Sequence, residues 1–123
     1  MRRDLFVYIA GPLTGKDGTL VEANVAAALR VFLDCIRRGI PAFCPHLTGG
    51  FPSAHAIPWD RWMEYDLAVL DRCTHVLLLP RWAESTGATV ERHHAAAVGK
   101  PIITSLDEID LAPAPASAGV FVD

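Results

Sequence analysis

The chain has 123 residues, 51% of them apolar, and a formal net charge of -3. That length suits one domain with one hydrophobic core and leaves no room for a second. The slight acidity weighs against a surface for a nucleic-acid polymer or an anionic membrane, which needs a basic patch, but not against one phosphorylated small molecule.

In chain order, residues 5–10 are a continuous apolar, β-rich run and predict a buried first strand, too short for a signal peptide or a membrane span. The flanking Arg2 and Arg3, like Arg37 and Arg38, read as solvated surface. Residues 11–18 are a loop punctuated by glycines and Pro12. Thr19 reads as an N-cap, and Glu22 three residues on completes a capping box. The helix that follows carries Val21, Val25, Ala28, Leu29, Phe32, Leu33 and Ile36 on a face expected to lie on a sheet, and Gly39 ends it. Residues 41–44 predict a short second strand. Residues 45–58 read as a long loop rich in Gly, Pro and His, of a length often tied to function.

Residues 59–72 predict a second helix, and 74–79 a third strand that Pro80 stops. After a loop over 81–86, a third helix is expected over 87–98, closed by Gly99, then a fourth strand over 101–104 and a short helix from Leu106. The domain is expected to span residues 1–111, with a flexible Ala/Pro-rich tail over 112–123. Three cysteines, Cys35, Cys44 and Cys73, are an odd set without framework spacing, which predicts a reduced, cytoplasmic protein.

Strands alternating with helices predict an α/β fold, with a parallel sheet covered on both faces. Ligands of such sheets sit beyond the carboxyl ends of the strands, where the strand order reverses. The loops after the first and third strands then form the site.

Two acids are out of place on those terms. Glu91 falls on an Ala-rich stripe with Ala88 and Ala95. It is either a helix-start acid favoured by the macrodipole or a working group. Asp66 shares a helix face with Trp62, Met63 and Leu70, whereas Asp60, Glu64 and Asp71 fall on other faces. It is either a paired structural acid or a second working group. Two carboxylates converging on one cleft suit glycosidic chemistry, in which one attacks or stabilises an oxocarbenium-like sugar and the other handles the proton of the leaving group. Ser85-Thr86-Gly87 opens the third helix. Ser85 caps the helix, seats a phosphate or sugar hydroxyl, or does both. Trp59 and Trp62 either stack on a base or belong to the core or an interface, the second being the commoner use.

Other motifs fail. The loop from Gly11 to Asp17 lacks the glycine spacing of a P-loop and places Asp17 where Ser or Thr must bind magnesium. No G-x-G-x-x-G follows the first strand. His93 and His94, Cys44 and His46, and Cys73 and His75 show no zinc spacing, so no metal is expected.

Together, Tyr8-Ile9-Ala10-Gly11-Pro12, Tyr65-Asp66-Leu67 and Ser85-Thr86-Gly87-Ala88-Thr89-Val90-Glu91 before Gly99-Lys100-Pro101 resemble the nucleoside 2-deoxyribosyltransferase superfamily, which includes nucleoside 5'-monophosphate N-glycosidases. The resemblance spans about residues 5–105. It implies a flavodoxin-like (Rossmann-like) three-layer sandwich with a parallel sheet of four to five strands, a retaining two-step mechanism, no cofactor, and a homodimer or larger homo-oligomer. Glu91 matches the family's nucleophile, Tyr8 the tyrosine that orients it, and Asp66 the acid beside the sugar or departing base. Gly87 matches the glycine that lets the sugar approach the backbone. Ser85 stands where transferases carry an aspartate and monophosphate hydrolases a serine beside the 5'-phosphate. The loop after the first strand departs from the hydrolases' Ser and Arg, leaving Gly11, Pro12, Thr14 and Lys16 as the candidate contacts. The expected activity is hydrolysis of a nucleoside 5'-monophosphate to free base and sugar phosphate. The alternatives are base exchange by a deoxyribosyltransferase and a non-catalytic nucleotide-binding module. In a retaining site the two carboxyls stand roughly 5 Å apart.

Overall fold

The computed structural model describes residues 1–15, 21–49 and 52–110. Lys16, Thr19 and the expected tail over 112–123 lie outside the described residues. Four strands, β1 (Val7–Ala10), β2 (Ala42–Phe43), β3 (His75–Leu78) and β4 (Ile102–Ile103), pair in parallel in the order β2-β1-β3-β4. Helix α1 (Glu22–Arg37) joins β1 to β2. A single-turn α2 (His46–Gly49) and a 3-10 turn (Pro52–Ala56) lead into α3 (Trp59–Leu70), and α4 (Thr86–Ala97) joins β3 to β4. A 3-10 turn at Leu106–Glu108 follows β4. This is an α/β fold with flavodoxin-like layering. The strand order reverses between β1 and β3, which puts the loops after them at the mouth of the switch crevice.

The two-residue period of the strands divides the core. Val7, Ile9, Leu77, Leu79 and Ile103 pack with Ala28 and Cys35 of α1 on one face. Tyr8, Ala10, Val76 and Leu78 pack with Leu70 of α3 and with Ala88 and Ala95 of α4 on the other. β1 and β3 are buried along their whole length, which is why they read as continuous apolar runs rather than alternating ones. Each large apolar side chain buried this way contributes roughly 1.5–3 kcal/mol.

Three expectations need correction. First, α1 begins at Glu22, later than expected, with Val21 as an N-cap that makes no side-chain capping bond. Second, its buried residues are Asn24, Ala28 and Cys35, with Val31 and Phe32 packed alongside, whereas Leu29, Leu33 and Ile36 are 36–50% exposed. Its apolar residues span a wider arc than one sheet face can cover. Third, residues 45–58 are not an open loop. Pro45 accepts from Thr48 Oγ1 at 3.0 Å and from the Gly49 N–H at 2.9 Å, and the Trp62 indole N–H donates to the Ala54 carbonyl at 2.9 Å. These bonds fold the segment into two helical turns, the second tied to α3.

At the edge of the sheet away from the crevice, α3 and α4 are fastened together. His94 Nε2 lies 2.6 Å from Asp71 Oδ1, and Lys100 Nζ donates to the Asp71 carbonyl at 2.8 Å. Gly39 and Gly99 follow α1 and α4 with φ of 72° and 78°, the left-handed conformation that ends helices. Among the described residues no helix is long and apolar enough to cross a membrane.

Candidate active site

Strand parity decides which side Tyr8 serves. It lies one residue from Val7 and Ile9, so it points to the α3/α4 face, where it is completely buried. Its hydroxyl donates to Oε2 of Glu91 on α4. Burial, reinforced by the nearby charges of Glu91 and Asp66, pushes the Tyr8 pKa far upward, so the phenol keeps its proton and serves as a donor.

Glu91 is 5% exposed and shares the inner stripe of α4 with Ala88 and Ala95. Burial pushes its pKa up to about 8; the Tyr8 bond pulls the other way, and the charge of Asp66 adds to the rise. Asp66 is 9% exposed, between Met63 and Leu70 on the buried stripe of α3. Burial alone pushes it up to about 7. Its Oδ1 has no hydrogen-bond partner among the described residues. Leaving such an atom buried and unsatisfied costs about 1–3 kcal/mol, which makes it a place to look for a ligand. Among the described residues neither acid has the salt-bridge partner a structural role would supply. The structure thus brings Tyr8, Asp66 and Glu91 into one electrostatically coupled group on one face of the sheet.

The N-terminus of α4 adds polar groups. Ser85 Oγ accepts from the Ala88 N–H at 3.1 Å, and its carbonyl accepts from Thr89 Oγ1 at 2.8 Å. Capping occupies the oxygen's acceptor side and leaves its proton free to be donated. Gly87 faces Met63: a Cβ there would sit 3.6 Å from Met63 Sδ and 3.9 Å from Ser85 Oγ, ordinary contact distances. Packing therefore tolerates a side chain at 87. Gly11 is different, because a Cβ there would lie 2.6–3.0 Å from three atoms of Leu79, so the glycine lets the β1 loop close on the end of β3. Pro12 is buried and Thr14 exposed in the same loop.

The tryptophans do not join the group. Trp59 is 55% exposed at the start of α3. Trp62 spends its N–H on Ala54 and meets Tyr65 edge to face at 6.2 Å between centroids. A cleft of roughly 210 Å³ is lined by residues of α1, β3 and the turn after β4, and one of roughly 320 Å³ by Arg2, Arg38, Ile40, Leu106 and Ile109 among others; neither includes Tyr8, Asp66 or Glu91.

Sequence reasoning missed three neighbours. Phe43 stacks at 5.6 Å on the Tyr8 ring, and its place beside Tyr8 in the β1–β2 register was the available signal. Arg92, next to Glu91, lies 5.6 Å from the centre of the Trp82 ring. Arg81 holds a φ of 66°, a strained conformation for a residue with a side chain, in the loop that leads to α4.

No curated protein matches the sequence significantly. The profile of a domain family of unknown function, DUF4406, matches residues 5–104, which covers every strand and helix described above and all three residues of the buried group. The chain therefore belongs to the DUF4406 family.

Proposed function

We propose that the protein hydrolyses the N-glycosidic bond of a nucleoside 5'-monophosphate and releases free base and sugar phosphate. The observation that carries this reading is the pair of buried carboxyls, Glu91 held by Tyr8 and Asp66 with an unpartnered oxygen. Motif resemblance to the nucleoside 2-deoxyribosyltransferase superfamily supports the same assignment.

The chemistry needs one proton on the pair. Glu91 attacks the anomeric carbon as a carboxylate while Asp66 passes its proton to the departing base, forming a glycosyl ester on Glu91. Asp66, now ionised, takes a proton from water, the water oxygen attacks the same carbon, and Glu91 leaves with net retention. Burial raises the pKa of both acids, so the pair can keep one proton near neutral pH. Positive charge developing on the sugar beside Glu91 favours the Glu91 anion and leaves the proton to Asp66. The Tyr8 hydrogen bond acts in the same direction, and Asp66 Oδ1 has no such donor among the described residues.

The N–H groups at the start of α4 and the free proton of Ser85 are suited to a 5'-phosphate. An aspartate at 85 would repel it. The exposed Leu29, Leu33 and Ile36 on α1 support a homodimer, and three buried free thiols fit a reducing cytoplasm.

The test is chromatography for free base after incubation with a panel of nucleosides and their monophosphates. Release from monophosphates is expected. Base exchange without net hydrolysis would make the protein a transferase, and binding without turnover a nucleotide-binding module. Ser85→Asp should slow monophosphates at least about tenfold more than nucleosides, the scale of one lost charge-assisted contact; equal slowing would remove the phosphate from the reading.

A further inference from the structure

We propose that His46 is a positioning residue: through the Pro12 carbonyl it fixes the loop after β1 that faces the substrate, an assignment that rests on the site reading above. His46 is 3% exposed on α2. Its Nε2 lies 2.9 Å from the Pro12 carbonyl oxygen, and its Nδ1 lies 3.8 Å from the Cys44 sulfur. One arrangement of protons satisfies all three groups. A carbonyl only accepts, so Nε2 carries the hydrogen; the neutral ring then leaves Nδ1 as an acceptor, and the thiol supplies the remaining donor. Burial favours both neutral forms, lowering the pKa of His46 and raising that of Cys44 to about 11.

The ring is one of several ties on the same short loop. Gly49, three residues along α2 and so on the same side of its single turn, lies so close to Leu13 that a Cβ there would sit 2.9 Å from Leu13 Cδ2. The Leu13 carbonyl accepts from the Val21 N–H at 3.1 Å. Gly11 is wedged against Leu79. Together these hold the described part of the loop, in which Thr14 is exposed. None of them touches Glu91 or Asp66, which ride on α4 and α3. Loss of the His46 tie therefore loosens substrate capture and leaves the bond-breaking groups in place.

Hydrogen exchange of single amides reads the loop without any assay of turnover. In His46→Ala the Val21 amide should exchange about tenfold faster, the scale of one lost hydrogen bond. The Leu79 amide, bonded to the Ala10 carbonyl at 2.8 Å, should keep its wild-type rate. His46→Gln, whose amide N–H can reach Pro12, should restore Val21 exchange. With a nucleoside monophosphate, His46→Ala should raise KM about tenfold with kcat within twofold, again restored by Gln. Unchanged Val21 exchange in His46→Ala, or a fall in kcat at constant KM, would overturn the proposal. If wild-type protein turns over no nucleotide, the glycosidase reading fails and the exchange rates alone judge His46. If His46→Ala does not fold, long-range nitrogen–proton NMR of the wild type decides. The Nε2–H tautomer at neutral pH is expected, and the Nδ1–H tautomer or a protonated ring overturns the proposal.

Discussion

Glu91 and Asp66 are held as acids that the empty protein would rather keep neutral, and this has a sign that can be measured. Their pKa values rise from 4.5 and 3.8 to about 8 and about 7. Between about pH 4 and pH 8 the folded chain therefore binds more protons than the unfolded chain, so stability falls as pH rises through that window. Glu91→Gln removes the ionisation. Its melting temperature should match wild type near pH 4 and exceed it at pH 8 by several degrees, on the order of 1–2 kcal/mol. The same variant should lose roughly three or more orders of magnitude in turnover, as a nucleophile's removal does. A melting curve with no gain at pH 8 would mean that Glu91 ionises there without penalty. Tyr8→Phe tests the group from the other side. The phenol donates to Glu91 and lowers its pKa. Without it the acid limb of the kcat/KM profile should move to higher pH; a shift to lower pH, or none, would detach Tyr8 from the nucleophile.

At the scale of elements, α4 is where packing and ligand demands separate most cleanly. The space around Gly87 accepts a methyl group. Gly87→Ala should therefore leave urea stability unchanged or raise it by up to about 1 kcal/mol through helix propensity. If the sugar approaches this backbone, KM should rise severalfold at the same time. Loss of stability would instead show that 87 is a packing position. The acids on α3 and α4 were legible because each interrupts an apolar stripe, and a stripe's period survives in the sequence. Helix α1 was harder, since seven apolar residues spread over too wide an arc to say which of them the sheet would take. The segment that forms α2 and the 3-10 turn gave no periodic signal, because local bonds from Pro45 and the Trp62–Ala54 contact hold it. His46 was invisible for a related reason. Its partner is a backbone carbonyl 34 residues upstream, and a carbonyl has no residue type to read.

For the molecule as a whole, Leu29, Leu33 and Ile36 form an exposed apolar stripe on α1 that an isolated chain gains nothing by displaying. A homodimer built on it should appear in sedimentation at micromolar concentration. Leu33→Lys should shift the protein to monomer while leaving the circular dichroism spectrum unchanged; wild type that sediments as a monomer would remove α1 as an interface. The fastening of α3 to α4 has a further mechanical consequence. Asp71, His94 and Lys100 bind the two helices at one end, while towards the other Met63 faces Gly87 across a space that would take a methyl group. The pair is built like tweezers with a welded heel. On the proposed reading, a substrate entering between the tips would bend them about that heel, so the jaw would open widest at its mouth and stiffness at the far end would set the grip.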